Sequence, residues 1–477
     1  MSFIARSKDW LSQASARYWG VIALALWGAA VFAFGLLRLD THGAEEAGAR
    51  ALLLVWSVGE RIASTVVILG LPDLRALLQI PLGAYWPGSM VAAKVYALLI
   101  TAIAAAMLYR WSRREHGPET ALIATGLLLI TPITIAQVDA LGAGPYLLLV
   151  FAVGAWLDRT YRRVQRPLGG WFFLQLLWIM IAVSIHPAAI AYPLALLWQW
   201  KIDPIDGRHQ RHQYIGITLA LIFVLVLRKG WPALHWLGNP LTALSSAVLG
   251  QEFQGETLPL LVGITVVAFL VYLLIAERKR LTTEPLTRML LIGMLIGTLC
   301  ADGPWAMLCL AVALYFGIAR LIAFNQAFGS TGLSGQRGIV LLAIFVASTL
   351  FMQAQKAHHQ AIVQNLLPPV DQLILTFSVE IEDTDADAAH IVTMSQWPGK
   401  TMLATRRPAL PLPPPFADSQ TLLGKISGVS YLLFNPKQPA NTALAAQLAE
   451  LTGVTETLLL EEGGAVVHFR QSPTESP

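Results

Sequence analysis

The sequence predicts a polytopic α-helical membrane protein that ends in a small α/β domain outside the membrane. Three observations carry that prediction. The chain of 477 residues is 55% hydrophobic and only 13% charged, where a soluble protein of this length carries about a quarter charged residues. Its apolar residues come in blocks that are apolar all round rather than on one stripe, the pattern of helices solvated by lipid, and the mean hydropathy is +0.58. After residue 353 those blocks give way to short alternating segments punctuated by turn residues.

Apolar blocks of spanning or near-spanning length lie roughly at 18–39, 90–109, 120–136, 145–157, 171–185, 187–200, 214–227, 259–276, 289–301, 304–323 and 338–353, which gives about eleven helices. The first is long enough to span and lacks the small-residue cleavage site of a signal peptide. The short blocks at 145–157 and 289–301 adjoin the Gly/Pro breaks LGAGP and ADGP, which predict kinks or tight hairpins. With the N-terminus in the cytoplasm, the cytoplasmic segments hold 18 Lys and Arg and the opposite-side loops, 38–89 and 228–258, hold 6. That asymmetry obeys the positive-inside rule. It places a bacterial protein in the cytoplasmic membrane, with the C-terminal region on the periplasmic or extracellular side.

Two segments on that outer side are too long to be connectors. Residues 40–89 contain AEEAGARALLLVWSV and RIASTVVILG, read as helices lying at the membrane surface. In the tail, QLILTFSVEIE, HIVTMSQW, TMLATR and SYLLFN read as strands, NTALAAQLAELTG as a helix capped by Asn441, and TETLLLEEGGAVVHFR as a hairpin turning at Gly463-Gly464. PALPLPPPF reads as a loop or polyproline II segment. The expected division is therefore a transmembrane domain over 1–353 and an α/β domain over 354–477.

Several function classes are excluded or weakened at once. No P-loop or dinucleotide fingerprint is present, which argues against a nucleotide-driven pump. No nucleic-acid partner is expected, since the net charge is only +4. A transporter is weakened by the lack of charged residues in mid-span and by the large one-sided outer domain. Cys300 and Cys309 lie within predicted spans and read as small core residues.

The candidate chemistry begins in RLDTHGAEEAGAR, residues 38–50. Asp40 leaves the first span, and Glu45 and Glu46 follow within two helical turns. If a helix starts near Thr41, Asp40 and Glu46 come within reach of one another, as a general base for an acceptor hydroxyl or amine, or as ligands of a divalent cation. By spacing alone the same residues read first as a helix cap with acids in its first turn. Asp139, at the end of TPITIAQVDALGAGPY, is either a functional carboxylate facing a watery cavity or an interfacial cap. His186, in SIHPAAIAYPLALL, can bond a phosphate or simply shape a helix–helix turn. Arg50, Arg61 and Arg75, with Lys94, make the outer face basic, which suits an anionic lipid phosphate and equally suits head-group anchoring. Asp383, Asp385 and Asp387 imitate a calcium loop, but Ala388 and Met394 stand where it needs Gly and Glu, so a solvated acidic turn is expected.

Together these stretches resemble the GT-C class of polytopic glycosyltransferases, in the branch of protein O-mannosyltransferases and lipid A aminoarabinose transferases. The resemblance runs through the outer loop opening on Asp40 with Glu46 following, and through Pro81, Tyr85 and Trp86 before the second helix. It continues through WPGSMVAAKVYALLITAIAAAMLY, through LLLITPITIAQVDALGAGPYLLLVFAVGAWL with Asp139 on the family's Asp, and through SIHPAAIAYPLALL. It implies inverting transfer of a hexose or pentose from a polyprenyl-phosphate-linked donor to a glycan, lipid or protein acceptor. Asp40 would be the base, and Glu46 and Asp139 would shape the acceptor pocket or hold a metal ion. The departures fall mostly on cations: Gly43 and Ala44 replace the family's Arg and Tyr, Gln79-Ile80-Pro81 its Glu-Lys-Pro, and Ile185-His186-Pro187 its Lys-Gly-Pro. Arg61, Arg75, Lys94 or His186 must then hold the lipid phosphate. Otherwise the scaffold is a degenerate lipid-binding or assembly subunit of a membrane complex.

Overall fold

A computed structural model describes residues 20–60, 75–164, 170–202, 216–218, 240–249, 257–278, 284–328, 333–382, 391–413, 419–426, 428–451, 455–461 and 463–469. Arg61, the acidic stretch 383–390 and most of the expected span at 214–227 lie outside these residues. In chain order the helices of the first half are α1 (Gly20–Ala33), α2 (Glu46–Glu60), α3 (Arg75–Tyr85), α4 (Met90–Glu115), α5 (Pro118–Ile130), α6 (Pro132–Asp139), α7 (Gly144–Val164), α8 (Gly170–Ile185) and α9 (Ala191–Ile202). There follow α10 (Pro240–Leu249), α11 (Thr257–Ala276), α12 (Pro285–Gly297), α13 (Gly303–Phe328), α14 (Leu333–Val363) and α15 (Pro369–Thr376). The remainder is β1 (Thr393–Ser395), α16 (Pro398–Thr405), β2 (Ala409–Pro411), α17 (Ser419–Lys425), β3 (Tyr431–Phe434), α18 (Thr442–Glu450), β4 (Thr455–Glu461) and β5 (Gly464–Phe469).

Among the described residues, α4 and the stretches Pro259–Ala276 and Gly303–Ala323 are long and apolar enough to cross a membrane. The pair α5 and α6, bent by 51°, makes a fourth crossing if taken as one span. The expected count of eleven otherwise draws on shorter apolar helices such as α1, α8 and α12, and on residues outside the described set.

The chain forms two compact units, one of residues 1–37 and 94–362, the other of residues 38–93 and 363–477. The segment 38–93 thus groups with the C-terminal segment that begins at 363.

In the helical unit, the break between α5 and α6 follows from Pro132, which has no N–H to donate and clashes with a continuing helix. The carbonyls it releases are each met by a side chain. Leu128 O accepts from Thr131 Oγ1 at 2.8 Å and Thr134 Oγ1 at 2.7 Å, Leu129 O from Trp27 Nε1 at 3.1 Å, and Ile130 O from the Gln355 amide. Such satisfaction is obligatory where water is scarce. Elsewhere in the unit Arg162 pairs with the fully buried Asp158 at 3.1 Å and Arg320 with Glu277 at 2.7 Å, while Arg159 pairs with Glu284. Glu284 also caps α12, accepting from Leu286 N at 2.8 Å. Part of the basic charge counted on the cytoplasmic side is thus neutralised in place.

The second unit is built on a five-stranded mixed sheet of order β2-β1-β3-β5-β4. β1 runs parallel to β2 and β3, and β3, β5 and β4 are antiparallel. The hairpin turns as expected, with Glu461 opposite Gly464. Two expected strands are helices. QLILTFSVEIE lies in α15 and a following π-turn, because Pro369 starts a helix that puts Leu373, Ile374 and Phe377 against Tyr431, Leu433 and Val466. TMLATR lies in α16, opened by Pro398 and closed by Arg406 in the left-handed region at φ 62°. Apolar runs this short fit either element, and the tertiary partner decides. The Pro-rich stretch supplies β2. Asn441 precedes α18 as expected but does not cap it with its side chain; its amide donates to Gln396 Oε1 and Asn435 O, both at 2.9 Å.

Within this unit α2 buries Ala49, Ala51, Leu52, Val55 and Trp56. Gly83 of α3 lies directly on the Val55 backbone, with no space for a side chain. Gly83→Val is expected to force α2 and α3 apart and cost about 1–3 kcal/mol, read as a lower Tm of the purified protein.

Candidate functional site

The α6 helix ends in Asp139 and turns back at once. Ala140 N bonds to Ala136 O at 2.8 Å and Gly142 N to Gln137 O at 2.7 Å, with Leu141 forced to φ 52°. Gly142 and Gly144 close over Gln137, whose Oε1 accepts from Gly144 N at 3.0 Å. A Cβ at Gly142 would sit 2.7 Å from Gln137 Cδ, so any larger residue there would displace the Gln137 amide from Gly144 N. This tight corner fixes Asp139 against α4. Lys94 Nζ donates to Asp139 Oδ1 at 3.1 Å and also to its backbone carbonyl. Lys94 is fully buried and Asp139 5% exposed. His358 of α14 brings Nε2 to 3.8 Å from Asp139 Oδ2. Asp139 therefore stands between a buried ammonium and a half-buried imidazole. Lys94, expected at a lipid phosphate, is already neutralised by a carboxylate.

The second polar centre of this unit is at the SIHP turn. His186 Nδ1 accepts from Ala188 N at 3.1 Å, so its ring proton sits on Nε2 and points at Asp302, 2.8 Å from Oδ2. Asp302 also accepts from Trp305 N at 3.1 Å and so caps α13. Ala301 before it is held at φ 45°. Burial would raise the Asp302 carboxyl; the His186 bond, the ring's potential and the Trp305 N–H outweigh it and hold the group below its ordinary value. Both ring nitrogens of His186 are thus committed.

In the second unit, Asp40 is exposed, and its Oδ1 accepts from His42 N at 3.0 Å in an Asx turn. The helix starts not near Thr41 but at Glu46, and Glu46 serves another part of the chain. Its Oε1 and Oε2 accept from Gly399 N at 2.8 Å and Lys400 N at 2.9 Å, the first turn of α16, while Arg50 Nε lies 2.5 Å from Oε1. A carboxylate on two N–H groups at the positive end of a helix is a strong cap. Gly399 is needed for the approach: a Cβ there would come within 3.0 Å of Oε1. Lys400 in turn binds Asp371 of α15 at 2.8 Å. Arg75 is 1% exposed, within α3.

In this arrangement each oxygen of Glu46, the expected partner of Asp40 in a metal pair, accepts a backbone N–H group. Among the described residues no group of three or more His, Cys, Asp or Glu side chains is placed to hold a metal ion. Sequence reasoning missed His358 and Asp302. The first lies in QKAHHQ, just past the last apolar block, and the second in ADGP, taken only as a break.

Two outcomes follow from these pairs. Lys94→Met strands a buried carboxylate and is expected to cost about 3–5 kcal/mol, whereas Lys94→Met with Asp139→Leu restores most of it; denaturation of the four variants in detergent measures the cycle. For Asp302 the folded value is the lower one, so its contribution is complete above the ordinary 3.8 and fades as pH falls through the folded value. The destabilisation by Asp302→Asn is therefore expected at neutral pH and to shrink on acidification below 3.8, as melting at stepped pH would record.

No protein-family model and no curated protein sequence matches the chain. Solved structures do. ArnT from Cupriavidus metallidurans bound to undecaprenyl phosphate matches over 95% of this chain and 99% of its own, at 13% identity and a TM-score of 0.52. The archaeal oligosaccharyltransferase AglB from Archaeoglobus fulgidus, in complex with an inhibitory peptide and a dolichol-phosphate, matches over 97% of this chain and 75% of its own. That match has 11% identity and a TM-score of 0.54. The likeness lies in the fold and covers both units. The chain is an integral membrane protein with the fold shared by the GT-C glycosyltransferases ArnT and AglB.

Proposed function

We propose that the protein is a membrane glycosyltransferase that moves a sugar from a polyprenyl-phosphate-linked donor to an acceptor on the outer face of a bacterial cytoplasmic membrane. The observation that carries this reading is the fold match along nearly the whole chain to two structures that hold a prenyl phosphate. In such a transfer the acceptor hydroxyl or amine attacks the anomeric carbon, its proton passes to a base, and the bond from that carbon to the phosphate oxygen breaks. The lipid phosphate leaves with the electron pair.

Asp40 is the base in this reading, being an exposed carboxylate pre-set by a local turn. Glu46 acts by holding α2 on α16, and Asp139 by holding Lys94 and facing His358.

A second reading has its own support. Lys94 is neutralised, both His186 nitrogens are committed and Arg75 is buried, so three of the four expected phosphate cations are not presented openly. A scaffold in that state suits a lipid-binding or assembly subunit.

One reconstitution separates them. In proteoliposomes carrying polyprenyl-phosphate-linked sugars and acceptor, the first reading expects turnover that falls on the order of a hundredfold or more in Asp40→Asn. Full turnover by a normally folded variant would remove Asp40 as base. An inert wild-type chain that copurifies with a stoichiometric partner would establish the second reading.

A further inference from the structure

About 21 Å along α7 from Gly144, at the usual rise per residue, the helical unit holds a group of polar side chains that the glycosyl-transfer reading does not use. They come from four helices: Asp158 and Arg162 from α7, Gln175 from α8, Tyr192 from α9 and Arg288 from α12. Asp158, Tyr192 and Arg288 are fully buried, and Gln175 is 1% exposed. Arg162 Nε meets Asp158 Oδ2 at 3.1 Å, and Arg288 Nη1 donates to Ala195 O at 3.1 Å. The potential of both guanidiniums acts on the Asp158 carboxyl. Gly154, one turn before Asp158, gives the Tyr192 ring its place against α7, since a Cβ there would come 2.7 Å from Tyr192 Cε2.

Gln175 is the middle of this group. Its amide lies beside the Asp158 carboxyl and beside the Tyr192 hydroxyl. Yet Asp158 Oδ1, Gln175 Oε1, Gln175 Nε2 and Tyr192 Oη are all buried, and none of them makes a hydrogen bond of normal length and angle among the described residues. Buried polar atoms inside an apolar medium need partners, and polar groups that face one another from beyond hydrogen-bond distance are set at the spacing a bridging water spans. Tyr315 gives the contrast: it is equally buried, but its Oη shares a 2.7 Å hydrogen bond with Thr125 Oγ1. Charge decides between occupants. A cation would meet two guanidiniums, and an anion would meet Asp158 Oδ1. Water donates to Asp158 Oδ1 and Gln175 Oε1 and accepts from Gln175 Nε2 and Tyr192 Oη, so it answers every atom of the set.

We propose that Asp158, Gln175 and Tyr192 form an internal hydration site, holding ordered water that joins α7, α8 and α9. At about three hydrogen bonds per buried water, the four atoms call for one or two molecules. The water bridges Tyr192 to the Asp158–Arg162 pair, so that ion pair is solvated from within the helical unit. Ionisable side chains inside membrane proteins face one another or such water, and here both hold at once. The site stands at the far end of α7 from the corner that holds Asp139 and does not rest on the glycosyl-transfer reading.

Radiolytic hydroxyl-radical labelling of the full chain in detergent, read by mass spectrometry, tests this, because radicals form from bound water where it sits and label the side chains beside it. Tyr192 is expected to be labelled although buried, and to take up heavy oxygen only slowly when the bulk water is exchanged, while Tyr315 stays unlabelled. Gln175→Leu should bring Tyr192 labelling down to the level of Tyr315. Tyr192→Phe gives an independent sign: it lowers the Tm if the hydroxyl bonds water and raises it if the hydroxyl is buried without a partner. Wild-type Tyr192 labelled no more than Tyr315, or a raised Tm in Tyr192→Phe, would overturn the proposal. So would Tyr192 labelling that survives Gln175→Leu unchanged, which would trace the label to bulk access. Labelling that changes when chloride or sodium is removed from the buffer would assign the site to an ion and overturn the water.

Discussion

A backbone carbonyl freed inside an apolar medium must find a donor, and the helical unit is organised around one place where several are freed together. Pro132 breaks α5 from α6, and the three carbonyls before it draw in Trp27, Thr131, Thr134 and Gln355. Trp27 and Gln355 belong to the first and last helices of the unit, so satisfying the break ties its two ends to its middle. Each unmade bond there would cost about 1–3 kcal/mol, which makes the break a specifying feature rather than a defect. The bend also gives α6 its own axis and sets Asp139 at a corner where Lys94 and His358 reach it.

The second unit solves a related problem at a helix start. The first-turn N–H groups of α16 have no partners within their helix, and Glu46 supplies both acceptors from a segment far away in the chain. Arg50 balances the charge, and Arg406, just past the end of α16, lies 5.9 Å over the Trp56 ring. Polar contacts at both ends of α16 thus bracket the apolar packing of α2. The carboxylate that a loop pattern offers to catalysis also serves architecture here.

How far the sequence reached can be judged residue by residue. Hydropathy located the helical blocks, and the corners at LGAGP and ADGP were visible because Gly and Pro restrict the backbone regardless of context. The hairpin at Gly463-Gly464 was legible for the same reason. The helical character of QLILTFSVEIE and TMLATR was not, since a run of a few apolar residues satisfies either period until its neighbours are known. Lys94 and Asp139 were both singled out, but not as a pair, because their contact spans 45 positions. Asp40 could be placed at the head of the loop; the use of Glu46 could not, because its partners Gly399 and Lys400 open a helix whose TMLATR run reads as a strand, more than 350 positions away.

The bond from Glu46 to Gly399 joins residues 353 positions apart, and the segment 94–362 lies between the two parts of the unit it helps to build. Ribosomes add roughly 5–20 residues each second. The loop helix is therefore made on the order of twenty to seventy seconds before the backbone it caps exists. During that interval the apolar face of α2, with Trp56 and Leu52, has no C-terminal segment to cover it. Biogenesis of this protein thus includes an interval in which the loop must be sheltered before its C-terminal partner exists. A chain truncated before α16 stays in that unfinished state.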